Sequence, residues 1–255
     1  MPRLEGKTAI ITGAGGGIGS ATAALFCAEG AKVLLVDRDE AALRAAAGRI
    51  GGGAGACETF AGDIAERDQA AAAVARALAA FGALDVLVNN AAIRRVAPVA
   101  SAELADWRAV IDVNLLGAVN FCVAAAPALR ASGHASVVNV SSVYGVMGRK
   151  EWGIYDASKA ALLALTRSFA CEEAAHGIRV NAVCAAATLT PFTIGLARAS
   201  GKTEADLRRD GQPANLLGRW AEPIEMAYPI LFLASDEASF VTGATFMIDG
   251  GRSVL

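Results

Sequence analysis

The chain has 255 residues, 55% of them apolar, with 23 Lys and Arg against 25 Asp and Glu for a formal charge of −2. That length suits one large α/β domain with a sizeable core. The near-neutral balance and the lack of a face-sized basic run leave nucleic acid and anionic membranes without compositional support.

A β-branched run at residues 8–11 predicts a first strand, followed by a glycine cluster and a helix over 18–29. Residues 32–36 predict a second strand closed by Asp37, and 39–50 a helix stopped by Gly51, Gly52 and Gly53. Strands over 57–61, 84–89, 136–141 and 178–183 alternate with helices over 66–81, 102–129 and 155–175. A helix near 223–234 and a strand near 244–248 complete the chain. The strands are continuous apolar runs, which suits a parallel sheet covered on both faces. The fold class is therefore α/β, a doubly wound, mostly parallel sheet in a single domain over 1–255. The strandless stretch 188–221 is expected to form a small lid over a substrate site.

The five cysteines, Cys27, Cys57, Cys122, Cys171 and Cys184, contain no CxxC pair and read as reduced thiols in a cytoplasmic protein. Residues 1–7 lack a signal-peptide core. The apolar run 113–129 carries Asn114, Gly117, Asn120 and Pro127 and reads as a buried helix rather than a membrane span.

The glycine cluster lies between the first strand and first helix, with Thr12, Gly13, Ala14, Gly15, Gly16, Gly17, Ile18 and Gly19 in sequence. Glycines let the backbone turn sharply and approach a pyrophosphate, and the helix start offers free N–H groups. Asp37, 20 residues after Gly17, can hold adenosine ribose hydroxyls and repel a 2′-phosphate, which favours NAD over NADP. Arg38 beside it could accept a phosphate instead. A helix cap is the competing role for Asp37, and Asp39 could equally supply it.

Tyr155 and Lys159 stand four apart and share a helix face. A lysine ammonium and an oxidised nicotinamide ring would favour the phenolate, making the tyrosine a general base toward an alcohol. Ser142 ends a strand upstream and could steady the substrate oxygen. Asn114 interrupts an apolar helix and either binds an ordered water or is a satisfied structural amide.

These residues together resemble the short-chain dehydrogenase/reductase family. The resemblance runs from Lys7 to Gly251 and includes T-G-x-x-x-G-x-G from Thr12 to Gly19 and the acid Asp63. It also includes Asn89, Asn90 and Ala91, Asn114, and Tyr155-x-x-x-Lys159. It implies a Rossmann-type fold and a homotetramer formed through the last helices and the C-terminal strand. Tyr155 would be the general acid/base and Lys159 would hold the nicotinamide ribose. Ser142 would orient the substrate, and Asn114 would hold a relay water. Asp63 and Ile64 would meet the adenine, with Asn90 and Ala91 along the cofactor and Thr188 and Thr190 near the carboxamide. No metal site is expected. The family's Pro-Gly after the sixth strand is replaced by Ala185 and Ala186, so strain or a shifted loop is expected at Ala186.

The substrate, a small molecule, is expected to meet Ser142, Arg94, Tyr144, Trp152 and Ala186. Cations near that pocket are Arg94, Arg95, Arg149 and Lys150, with Arg198, Lys202, Arg208 and Arg209 on the lid. One or more of them could greet a carboxylate, whereas Tyr144 and Trp152 could wall a cyclic alcohol. The leading expectation is an NAD-dependent secondary-alcohol dehydrogenase. Two others stand beside it: an NADPH-dependent 3-oxoacyl thioester reductase, and a cofactor-binding regulatory protein without catalysis.

Overall fold

Alternate side chains of each inner strand enter opposite layers, and both layers are covered by helices. The computed structural model describes residues 2–50, 56–212 and 214–255, so the glycine stop expected at 51–53 lies outside the described residues. The elements in chain order are β1 (Thr8–Thr12), α1 (Gly17–Ala28), β2 (Lys32–Asp37), α2 (Glu40–Arg49), β3 (Cys57–Ala61), α3 (Arg67–Phe81) and β4 (Val86–Asn89). There follow α4 (Leu104–Ile111), α5 (Gly117–Ser132), β5 (Ser136–Ser142), α6 (Gly153–Glu173) and β6 (Arg179–Ala185). The chain ends with α7 (Pro191–Ala199), α8 (Glu204–Asp210), α9 (Pro223–Ala234) and β7 (Thr245–Ile248).

The strands form one sheet in the order β3-β2-β1-β4-β5-β6-β7, and the neighbours run parallel. Ala9, Ile11, Val33, Leu35 and Val86 pack on Phe26 of α1, Leu43 of α2 and Leu231 of α9. Ile10, Leu34, Val36, Leu87 and Val137 pack on Val74 of α3 and on Phe121 and Leu129 of α5. This period-two division with both faces buried is why the strands read as unbroken apolar runs. The strand order reverses between β1 and β4. The crossovers there leave in opposite directions, which opens a crevice at the carboxyl ends of the strands.

Two regions differ from expectation. The single helix expected over 102–129 is two helices, α4 and α5, joined by a π-helical turn over Asp112–Leu116. The turn adds a residue to the helical repeat and buries Asn114. The whole span Leu104–Ser132 is long and apolar enough to cross a membrane. Its Phe121, Cys122, Ala125 and Leu129 instead sit in the core. The strandless 188–221 segment contains α7 and α8 and is tied at its ends by a parallel bridge between Thr188 and Ala221. Leu189, Ala197 and Leu207 give it a small core of its own.

Candidate active site

The glycine turn is shaped by close backbone approach to the end of β4. Gly13 has φ +65°, and a Cβ there would lie 2.7 Å from Ala91 Cα. A Cβ on Gly19 would lie 2.3 Å from the Gly13 carbonyl. Asn90 Nδ2 donates to the carbonyls of Thr12 (2.9 Å) and Gly13 (3.1 Å), so its side chain anchors the turn from below. Gly16 caps α1 without a side-chain hydrogen bond, and no acid occupies the first turn. Free N–H groups and the helix dipole therefore face outward, a cradle suited to a phosphate.

A cavity of about 440 Å³ extends from this turn. Gly13, Gly16, Gly17 and Ile18 line it together with Asp37, Arg38, Asp63, Ile64, Asn90 and Ala91. Asp37 Oδ2 accepts from Gly15 N at 3.1 Å and Oδ1 from Asp39 N at 3.1 Å. The capping role belongs to Asp39, which accepts from Ala42 N at 3.0 Å. Asp63 Oδ1 braces its own turn through Ala65 N at 3.0 Å. A glycine cradle that a Cβ would fill, a bare helix start and a carboxylate 22 residues beyond Gly15 fit an adenine dinucleotide.

A second cavity of about 560 Å³ adjoins the first, and Tyr155 lines both. Lys159 and Ser142 line the second with it. Lys159 Nζ lies 5.8 Å from the Tyr155 ring centre, so the two side chains share a face as expected. Lys159 is buried and donates to the Val140 carbonyl at 2.7 Å. Burial pushes its ammonium down to about 8. Tyr155 departs from expectation. Burial pushes its phenol upward, and the cations that oppose this are Arg94 and Arg149, with a hydrogen bond from Ser142 helping them. Ser142 Oγ also accepts from Tyr144 N at 3.2 Å, whereas Ser141 Oγ is spent on the Lys159 carbonyl at 2.9 Å.

Asn114 is a satisfied buried amide. Its Nδ2 donates to the Ile93 carbonyl and to Ser158 Oγ, both at 2.9 Å, and its Oδ1 accepts from Ile93 N at 2.8 Å. The π turn thus clamps the loop that follows β4. Strain at Ala186 is not found: among the described non-glycine residues only Glu151 has positive φ, and Ala186 N donates to the Ile248 carbonyl at 3.2 Å. Thr188 Oγ1 donates to the Ala186 carbonyl at 3.0 Å, and Thr190 caps α7 through Thr193 N at 3.2 Å. Thr188, Thr190 and Ala186 all line the larger cavity.

The eight cations separate cleanly. Arg95 pairs with Asp106 at 3.2 Å, and Lys150 and Arg198 are exposed. On the lid, Lys202 pairs with Asp210, Arg208 with Glu204 and Glu222, and Arg209 with Asp206. Arg149 donates to Asp156 Oδ1 from Nε (3.2 Å) and Nη2 (3.1 Å), and lies over the rings of Tyr144 and Trp152. Arg94 lines both cavities, 3.4 Å over the Phe192 ring. Asp156 and Phe192 carry no sequence signal of their own: Asp156 meets Arg149 and Phe192 meets Arg94 only in the folded chain.

Comparison with known proteins agrees with this geometry. The family described as Enoyl-(Acyl carrier protein) reductase matches residues 13–253. The chain is 41% identical to a 3-oxoacyl-[acyl-carrier-protein] reductase of Thermotoga maritima, over 98% of both chains. It is 42% identical to a cis-4-hydroxycyclohexanecarboxylate dehydrogenase of Sinomonas cyclohexanicum, covering 98% of this chain and 97% of the other. L-sorbose reductase from Gluconobacter frateurii, solved with NADPH and L-sorbose, superposes with a TM-score of 0.94 at 29% identity, covering 100% of both chains.

Proposed function

The chain belongs to the short-chain dehydrogenase/reductase family, oxidoreductases acting on CH–OH groups, and from that premise we propose an NAD-dependent dehydrogenase of a cyclic or acid-bearing secondary alcohol. The observation that carries the reading is the position of Tyr155, which lines both the dinucleotide cavity and the larger chamber beside it. Gly13, Gly16, Gly17 and the start of α1 would hold the pyrophosphate, Asp37 the adenosine ribose, and Asp63 with Ile64 the adenine. When bound, the cofactor supplies the hydride acceptor or donor and, oxidised, positive charge near the phenol.

The protein's own part is proton transfer and placement. Tyr155 as phenolate takes the hydroxyl proton of the alcohol during oxidation, and as phenol returns it to the ketone oxygen during reduction. Ser142 donates to that oxygen and holds it against the tyrosine. Lys159, fastened to the Val140 carbonyl, would hold the nicotinamide ribose. Asn114 acts on the backbone of Ile93 rather than on the reacting atoms.

Asp37 supports NAD, because its carboxylate stands where a 2′-phosphate would have to be accommodated. The five free cysteines suit a reducing cytoplasm. The exposed Tyr228 and Phe240, on α9 and before β7, offer apolar surface for a homotetramer. The test is a panel of secondary alcohols and hydroxy acids run with NAD and with NADP. NAD turnover is expected to exceed NADP turnover at least tenfold, and Tyr155→Phe to lower kcat by about 10³-fold. A preference for NADPH with 3-oxoacyl thioesters would instead place the protein with the Thermotoga relative's activity. Full turnover by the phenylalanine variant would overturn the mechanism.

A further inference from the structure

Building on the dehydrogenase reading, we infer that Arg94 is the receptor for a substrate carboxylate, covered by Phe192 of the lid. Of the other cations that line the chamber, Arg149 and Lys202 are each committed to an acid, Asp156 and Asp210, and Lys159 is held on the Val140 carbonyl beside the phenol. Arg94 has no carboxylate partner among the described residues. Its guanidinium instead lies between aromatic groups, 3.4 Å over Phe192 and 5.5 Å from the Trp152 ring centre. Partial burial without a counter-charge pushes it down to about 10, so at neutral pH it stays a desolvated, unneutralised cation. Such a group gains most when a ligand supplies the missing anion.

The surroundings hold Arg94 in place. Asn114 clamps Ile93 on both its N–H and its carbonyl, and Ala97 N donates to the Glu151 carbonyl at 2.8 Å. The loop carrying Arg94 is therefore tied on both sides of the arginine, which lowers the entropy cost of binding. Arg94 and Tyr155 both stand where the two cavities meet. One ligand can thus present its hydroxyl to the phenol and its carboxylate to the guanidinium. The aromatic walls of Tyr144 and Trp152 suit an apolar ring between those ends, while Phe192 reaches Arg94 from the adjoining cavity. The substrate class is a short cyclic hydroxy acid, in keeping with the activity for which the Sinomonas relative is named.

The test compares 4-hydroxycyclohexanecarboxylate with its neutral carboxamide for the wild-type protein, Arg94→Met and Arg94→Lys. The wild type is expected to prefer the acid. Arg94→Met should collapse the acid-to-amide ratio of kcat/KM by about 100-fold, and Arg94→Lys should restore much of it. Calorimetric binding of cyclohexanecarboxylate and cyclohexanecarboxamide, with NAD present, gives a readout free of turnover and should show the same loss for the acid alone. If no alcohol is oxidised, the dehydrogenase reading fails, while calorimetry still decides the role of Arg94. An unchanged ratio overturns the assignment. So does a variant that raises the KM for NAD and treats acid and amide alike, because Arg94 would then serve the cofactor cavity.

Discussion

The two cavities that meet at Tyr155 are built by different means. The dinucleotide cavity is made of backbone. Gly13 approaches Ala91, Gly19 approaches the Gly13 carbonyl, and Asn90 anchors the turn through main-chain oxygens. The substrate chamber is made of side chains contributed by distant segments: Arg94 after β4, Arg149 and Trp152 before α6, and Leu196 and Leu207 from the 188–221 segment. Backbone packing tolerates little change and leaves a spacing in the sequence. Side-chain walls can be exchanged one at a time and leave none. Substitutions in the first region should therefore cost affinity outright, and those in the second should redirect specificity.

The sharpest way to break this comparison is Gly19→Val. Its Cβ would lie 2.3 Å from the Gly13 carbonyl and 2.7 Å from Asn90 Nδ2, so the turn itself must move. NAD affinity is expected to fall at least 100-fold by calorimetry, because the N–H groups that meet the phosphates are displaced. A loss of less than threefold would show that the cradle is not held by backbone approach. In the chamber, by contrast, the arginine substitution tested above should change which alcohol is used.

A smaller effect concerns the lysine where the two regions touch. Lys159 is buried with one hydrogen bond, and its ammonium is pushed from 10.5 down to about 8. The unfolded chain holds that proton more tightly than the folded one. Between about pH 8 and 10.5 the unfolded state therefore binds more protons, and stability rises with pH through that window. The penalty for burying the charge is full below 8 and gone above 10.5. Lys159→Met should thus melt a few degrees higher than wild type at pH 7, with the difference shrinking toward pH 10.5, while turnover is lost. Equal melting temperatures at pH 7 would show that the Val140 carbonyl already compensates the charge.

Much of this was legible in the sequence, and the reasons are local. The apolar strand runs marked a doubly covered parallel sheet. The glycine spacing from Gly13 to Gly19 and the i,i+4 pair of Tyr155 and Lys159 are short-range features that local backbone geometry brings together. What escaped depends on long-range contact. The π turn at Asp112–Leu116 keeps helical composition, so nothing in its residue types separated α4 from α5. Asn114 was visible as a costly amide, but its partner Ile93 lies 21 residues away. The strength of burial at Tyr155 was not legible either, because solvent exclusion is set by the whole site, and burial of the phenol outweighs the Arg94 and Arg149 cations around it. Arg94 and Arg149 could be flagged as nearby charges, yet only the fold shows that one is neutralised by Asp156 and the other is not.

The Ala185 and Ala186 departure tests the comparison at its weakest point. It lies in backbone, at the mouth of β6, where the first kind of region would suffer most from a Cβ. Yet Ala186 does not adopt positive φ, and its N–H reaches the Ile248 carbonyl at 3.2 Å. Its Cβ therefore meets no positive-φ strain, and the loop is held by the Thr188 hydroxyl on the Ala186 carbonyl. Ala186→Gly should leave kcat and the KM for NAD within about twofold. The same change should lower stability by about 0.5 to 1 kcal/mol, because glycine widens the unfolded ensemble without relieving strain. For a chain of this size that is a drop of ~1–4 °C in Tm. A gain in NAD affinity on installing glycine would mean that the alanine holds the loop away from the cofactor after all.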